Sequence, residues 1–173
     1  NTTGINNVAV GWESLGANVD SSYNTALGWR CLEDNTASDN TAVGAGAARN
    51  ITSGANNVAV GKSSLNAATT ESGQTAIGYE ALKDVHTNGT NTALGYQAGK
   101  GITSGASNIA IGYQAFDKGT TGYDTICIGN SAMDTGSAYT GYYNTIVGNS
   151  SGRALTSAIC NTTLGNSALR NED

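Results

Sequence analysis

Asn91-Thr92-Ala93-Leu94-Gly95-Tyr96-Gln97-Ala98 is followed, 17 residues later, by Asn108-Ile109-Ala110-Ile111-Gly112-Tyr113-Gln114-Ala115. The pattern recurs ten times from end to end, its glycine falling at Gly11, Gly28, Gly44, Gly61, Gly78, Gly95, Gly112, Gly129, Gly148 and Gly165. Successive glycines are 16 to 19 residues apart, and most are 17 apart. So constant a period over 173 residues means that each repeat is one structural unit stacked on the next. The expected fold is therefore all-β: residues 1–173 form a single parallel β-solenoid array (β-roll or β-helix) of about ten 17-residue rungs. At the usual strand spacing such a rod is about 48 Å long.

Alignment on the glycine gives columns with separate chemistries. One place before it stand Val10, Leu27, Val43, Val60, Ile77, Leu94, Ile111, Ile128, Val147 and Leu164, and three places before it every residue is β-branched, from Val8 and Thr25 to Thr162. Alternate strand positions share a face, so these two columns are expected to line the interior. The column between them, Ala26, Ala42, Ala59, Ala76, Ala93 and Ala110 among others, then faces outward. So uniform a run of small residues implies close packing, against another chain or against a second layer of the same rung.

Four places before the glycine, asparagine recurs at Asn7, Asn24, Asn40, Asn57, Asn91, Asn108, Asn144 and Asn161, with Gln74 and Thr125 as departures. Rungs about 4.8 Å apart let such side chains bond up and down the stack, so the column reads as structural. Four places after the glycine runs a second apolar column, from Leu15 and Leu32 to Leu169, interrupted by Ala48, Gly99 and Gly152. Each interruption is followed three residues later by Ile51, Ile102 or Leu155, which are expected to fill the vacated space and define a super-repeat of about 51 residues. A turn of 51 residues would enclose a core too wide for so few large side chains.

Composition agrees with a thin solenoid: 24 glycines, no proline and 12% charged residues, with no long 3.6-residue pattern. A net charge of −5 and the lack of a basic cluster argue against nucleic acid as partner, and no apolar run is long enough for membrane insertion. Asn1 begins in mid-pattern, and both ends read as cut from a longer array. Cys31, Cys127 and Cys160 lie in three columns too far apart to bridge, and read as buried thiols.

Sites for chemistry are few. His86 is the single histidine and reads as a solvated loop residue, so neither a histidine-based triad nor a two-histidine metal site can be built; no catalytic residue, metal or cofactor is expected. Five places after the glycine, Asp117 and Asp134 would be neighbours on adjacent rungs, a possible carboxylate pair; Lys100 and Arg153 flank them and favour a salt-bridge ladder. One place after it, Trp12, Trp29, Tyr79, Tyr96 and Tyr113 would stack as a ladder that could also pack on sugar rings. A two-residue insertion lengthens the loop carrying Tyr139, Tyr142 and Tyr143, in a Gly/Ser/Thr setting typical of binding loops. Those three tyrosines with Tyr79, Tyr96 and Tyr113 are the candidate ligand-binding set. Glycosylation triplets stand at Asn1, Asn50, Asn88, Asn149 and Asn161, in a chain where chance alone would supply several.

With these residues in place, Asn-x-Val/Thr-Ala-Ile/Val-Gly resembles the head repeat of trimeric autotransporter adhesins, and Asn91 to Ala98 is similar to repeats of phage tail fibres. The turn here is longer than in the adhesin heads. The resemblance implies a left-handed trimeric β-roll, extracellular, on a cell surface or a virion, that binds surfaces such as cell-surface glycans. Two functions follow as expectations: a non-enzymatic fibre or adhesin segment working as a homotrimer, or the subunit of an extracellular filament. The carboxylate pair raises a third, a glycan-cleaving tailspike.

Overall fold

The computed structural model describes residues 1–86, 89–153 and 155–170. Its regular structure is ten three-residue strands: β1 (Val8–Val10), β2 (Thr25–Leu27), β3 (Thr41–Val43), β4 (Val58–Val60), β5 (Thr75–Ile77), β6 (Thr92–Leu94), β7 (Ile109–Ile111), β8 (Ile126–Ile128), β9 (Thr145–Val147) and β10 (Thr162–Leu164). They form one parallel sheet in strict chain order, β1 to β10. Register follows the repeat, with Ala76 opposite Ala93 and Ala93 opposite Ala110. Each turn of the chain is therefore one repeat, and the fold is the expected all-β parallel β-solenoid.

The glycine of each repeat ends its strand with φ between +123° (Gly165) and +142° (Gly28), a conformation that L side chains rarely adopt. In nine of the ten, a Cβ added there would run into the carbonyl of the next rung's glycine. The column is thus fixed by backbone conformation and by rung-to-rung contact together. Past the corner, the apolar column four after the glycine is also left-handed, with φ of 50° at Leu32, 47° at Leu82 and 54° at Phe116. That conformation costs an L residue about 1 kcal/mol or more, offset by complete burial of these side chains.

The asparagine column forms the expected ladder, but mostly through the backbone. Asn57 Oδ1 accepts from the Gln74 N–H at 2.9 Å while its Nδ2 donates to the Glu71 carbonyl at 2.8 Å, both on the next rung. Asn91 does the same to the Asn108 N–H and the Gly105 carbonyl. One amide thus ties off two buried backbone groups, which secondary structure leaves unpaired, at most of the corners; in rung eight Thr125 stands in the column and its hydroxyl donates to the Tyr123 carbonyl instead.

The facing of the strand reverses the sequence expectation. The alanine column is inside: Ala26, Ala42, Ala59, Ala76, Ala93 and Ala110 are wholly buried, as are Cys127 and Ile146 in the same column. Val60 and Ile111 are only half-buried, and Ile77, Leu94 and Leu27 are exposed. The reason is width. A turn of this length closes around a core one leucine thick, supplied from the corner opposite the strand by Leu32, Leu65, Leu82, Phe116 and Met133. Alanine is what fits against them, so the larger aliphatics go outside.

Where the leucine is missing, the compensation expected from sequence is present. Ile51, Ile102 and Leu155 are buried, and a Cβ at Gly99 would lie 2.9 Å from Leu82 Cδ2 and 3.1 Å from Ile102 Cδ1. Cys31 and Cys127 are buried, burial pushing the Cys31 thiol up to about 11 and that of Cys127 well above its ordinary value. Cys160 is exposed, contrary to the expectation of three buried thiols, because it stands in a column that faces out.

Candidate functional site

The outward face of the sheet is the most distinctive surface of the molecule. Its centre is the two strand columns that alternation turns away from the alanines, and its flanks are the columns five before and one after the glycine. Among the described residues, thirteen of the seventeen exposed large hydrophobic side chains lie in these four columns, including Val10, Trp12, Leu27, Leu94, Tyr96 and Tyr143. The face measures about 48 Å along the rod and about 20 Å across, on the order of 950 Å². Its unbroken apolar part is the aliphatic column one before the glycine with the aromatics beside it, and polar groups such as Thr25, Thr75, Asp39, Lys62 and Asp124 are interspersed across the rest.

Along one edge run the aromatic ladders. Trp12 and Trp29 stack at 6.0 Å and 12°, Tyr79 and Tyr96 at 5.1 Å and 14°, and Tyr96 and Tyr113 at 5.1 Å and 8°. The stacking expected from sequence is therefore real, and it has a consequence for sugar binding. The ring faces are turned to one another along the rod, so Tyr96 in the middle presents an edge outward instead of an open face. The Arg30 guanidinium lies 5.7 Å from the Trp12 ring centre and 5.3 Å from that of Trp29, held by Glu13 at 3.1 Å and by Glu33. That cation covers part of the tryptophan pair, whose rings stay exposed.

The three tyrosines of the long loop separate. Tyr139 is not a surface residue: it is wholly buried, edge-on to Phe116 at 5.4 Å, with its hydroxyl donating to the Ala158 carbonyl at 3.1 Å and accepting from the Asn144 amide. It occupies the interior beside Gly122, where a Cβ would stand 2.7 Å from its ring, so it fills a rung otherwise short of apolar volume. Tyr142 and Tyr143 remain accessible. Tyr142 stacks on Tyr123 at 4.8 Å and 5°, and Tyr143 meets both edge-on, at 5.2 Å and 6.1 Å. Tyr123 was absent from the sequence candidates, although it stands in the same column as Tyr142, six before the glycine; that shared column was the available signal.

The carboxylates are divided by their partners. Asp117 is buried, one oxygen 3.2 Å from Lys118 Nζ and Oδ1 with no partner, and burial raises its carboxyl above the ordinary range. Asp134 faces Arg153 at 3.6 Å. Lys100 does lie beside Asp117, as the sequence suggested, but its ammonium bonds Glu80 at 2.7 Å, alongside Lys83 at 3.1 Å and the Gln97 amide at 2.8 Å. The ion ladder thus alternates between two columns, two and five after the glycine. The Lys100 hydrogen bond is the main reason the Glu80 carboxyl is held down at about 2. An open recess of about 300 Å³ near Asp134 is lined by Thr135, Gly136, Arg153 and Arg170. Nothing there pairs a free acid with a free base.

Of the glycosylation triplets, Asn1 and Asn149 are exposed and Asn50 half-buried, while Asn161 spends its amide on Asn144 Oδ1 and the Ile159 carbonyl, both at 3.1 Å. A glycan on Asn161 would break that corner; Asn88 lies outside the described residues. His86 is exposed, as expected of a loop residue. Among the described residues no three His, Cys, Asp or Glu side chains come together in a way that could hold a metal ion. Comparison with protein-family models, with curated proteins and with solved structures gives no match to the chain.

Proposed function

We propose that this chain is a rigid segment of a fibre or adhesin that works as a homo-oligomer of parallel rods, associated through the outward face of its sheet. The observation that carries the reading is the concentration of exposed valine, leucine, isoleucine and aromatic side chains on that one face. Its area of about 950 Å² matches the roughly 800 Å² per partner of a stable interface. A partner must offer apolar groups at the rung spacing along the whole rod, and a second copy of the same chain does so rung for rung. The repeats' resemblance to adhesin heads and tail fibres favours three copies and an extracellular or virion-borne setting.

The role is structural and adhesive, without catalysis. Asp134 is paired with Arg153 and one oxygen of Asp117 with Lys118, which leaves no pair of free carboxylates to support a glycan-cleaving role. Tyr123, Tyr142 and Tyr143 form the accessible aromatic cluster best suited to touch a glycan. Mass in solution by light scattering tests the main claim: a defined trimer is expected, a polymer growing with concentration would mean a filament subunit, and a monomer at micromolar concentration would overturn the reading. A glycan array paired with a depolymerisation assay tests the rest, since sugar release abolished by Asp117→Asn would make the chain an enzyme.

A further inference from the structure

The aromatic ladder one place after the glycine is broken in its middle. Trp12 and Trp29 form one stack and Tyr79, Tyr96 and Tyr113 another, and between them stand Ala45 and Lys62. Trp29 and Tyr79 are three rungs apart, about 14 Å along the rod, so the break is a slot with an indole at one end and a phenol ring at the other. Trp12 covers one face of the Trp29 indole, at 6.0 Å, and the other face is turned toward Ala45. Arg30 does not cover that second face. Its guanidinium lies 5.7 Å and 5.3 Å from two ring centres that are themselves 6.0 Å apart, which puts it beside the pair.

The side of the slot away from the strand is polar. Where Arg30 flanks the tryptophans, the next rung has Gly46, and a Cβ there would meet nothing closer than Asn66 Nδ2 at 3.6 Å and Ser63 Oγ at 3.9 Å. Asn66 spends one N–H on the Gly46 carbonyl at 2.9 Å; its second N–H and the Ser63 hydroxyl have no partner among the described residues. Lys62 follows Ala45 in the column, is exposed, and makes no ion pair among the described residues. An apolar platform, two hydrogen-bonding groups at its rim and one uncompensated cation define the ligand. A pyranose has a C–H face to lie on the indole and hydroxyls for Ser63 and Asn66, and an acidic one also answers Lys62. A flat aromatic acid would leave the hydroxyl and the amide unused. Resting on the adhesive part of the reading above, we infer that the slot over Ala45 is a subsite for an acidic pyranose, a uronic or sialic acid residue of a surface glycan, stacked on Trp29 with its carboxylate on Lys62. The slot opens toward Gly46, away from the aliphatic columns, so rods associated through those columns leave it reachable.

The test is saturation-transfer NMR on the full chain, with methyl glucuronide and methyl sialoside as acidic probes and methyl glucoside as the neutral one. At least one acidic sugar should bind, about tenfold more tightly than the glucoside, and the stronger of the two names the acid. Lys62→Met should remove that preference. Ala45→Tyr fills the slot with the residue that rungs five to seven already carry there, so it should keep the β-sheet signal in circular dichroism and abolish binding. Undiminished binding by Ala45→Tyr, a glucoside bound as tightly as the acids, or a preference that survives Lys62→Met overturns the subsite. A glycan array separates this from the wider reading. If neither acid binds while the array still captures the chain in a way that Tyr142→Ala abolishes, the subsite fails and the adhesive reading stands; if the array captures nothing either, both fail.

Discussion

Gly99 and Ile102 share one volume: a Cβ on the glycine would lie 3.1 Å from the isoleucine Cδ1, and the isoleucine is 1% exposed. In the neighbouring rung the same two positions hold Leu82 and Val85, both wholly buried. The interior is thus filled by the sum of two columns three residues apart, and neither column is fixed on its own. Gly99 has φ of 59°, close to the 47° of Leu82, so a leucine there would carry the same left-handed strain that Leu82 bears and would lack the space as well.

Gly99→Leu should therefore destabilise by about 1–3 kcal/mol through overpacking, and Ile102→Ala by about 2–4 kcal/mol through the cavity it leaves. The double variant should recover much of the loss. Denaturant midpoints of the four proteins measure the coupling, and strictly additive losses would show that the two sites do not share space.

The asparagine ladder predicts a graded series. Asn91→Ala leaves the Asn108 N–H and the Gly105 carbonyl buried without partners and should cost about 2–4 kcal/mol. Asn91→Gln should cost clearly less, because Gln74 already does this work in the same column, accepting from the Asn91 N–H at 3.0 Å and donating to the Gly89 carbonyl. Equal losses in the two variants, read from unfolding curves, would count against the backbone role of the amide.

The period, the strand positions, the ladder and the leucine–isoleucine exchange were all legible in the sequence because each depends on spacing alone. Which way Ala93 and Leu94 face was not. Alternation says only that they oppose each other, and the usual rule that larger apolar groups go inside fails when the turn is too narrow to hold two layers of them. Tyr139 was misread for a related reason: a Gly/Ser/Thr setting looks like a loop tip, but Gly122 and Gly119 are small because the Tyr139 and Phe116 rings occupy their space. The accessible pair Tyr142 and Tyr143 was legible, and Tyr123 was recoverable from its column.

Two carboxylates give pH effects of opposite sign. Glu80 is held at about 2, below its ordinary 4.5, so its bonds to Lys100, Gln97 and Lys83 stabilise the fold above about pH 4.5 and are lost as pH falls toward 2. Lys100→Met should flatten that part of the acid unfolding profile. Asp117 is raised above its ordinary 3.8 by burial, so its contribution is most favourable below 3.8, where it is protonated in both states, and turns unfavourable as pH rises through the folded value. Asp117→Asn should then raise the melting temperature at pH 7 and leave it nearly unchanged at pH 3; a lower melting temperature at pH 7 would mean that the Lys118 pair outweighs the desolvation.

The facing of the sheet yields the sharpest contrast, since Ala93 and Leu94 are adjacent in β6 and predicted effects of a charge there differ in kind. Ala93 is wholly buried between Ala76 and Ala110. An arginine there would bury an unpaired charge in a core one side chain thick, so Ala93→Arg should abolish the β-sheet signal in circular dichroism. Leu94 is 46% exposed on the outward face. Leu94→Lys should keep the β signal and lose association, because an ammonium can stay hydrated on a free rod but not between two apolar faces. Light scattering and circular dichroism on both variants decide the matter. A folded, dissociated Ala93→Arg protein beside an unfolded Leu94→Lys protein would mean that the sheet faces the other way.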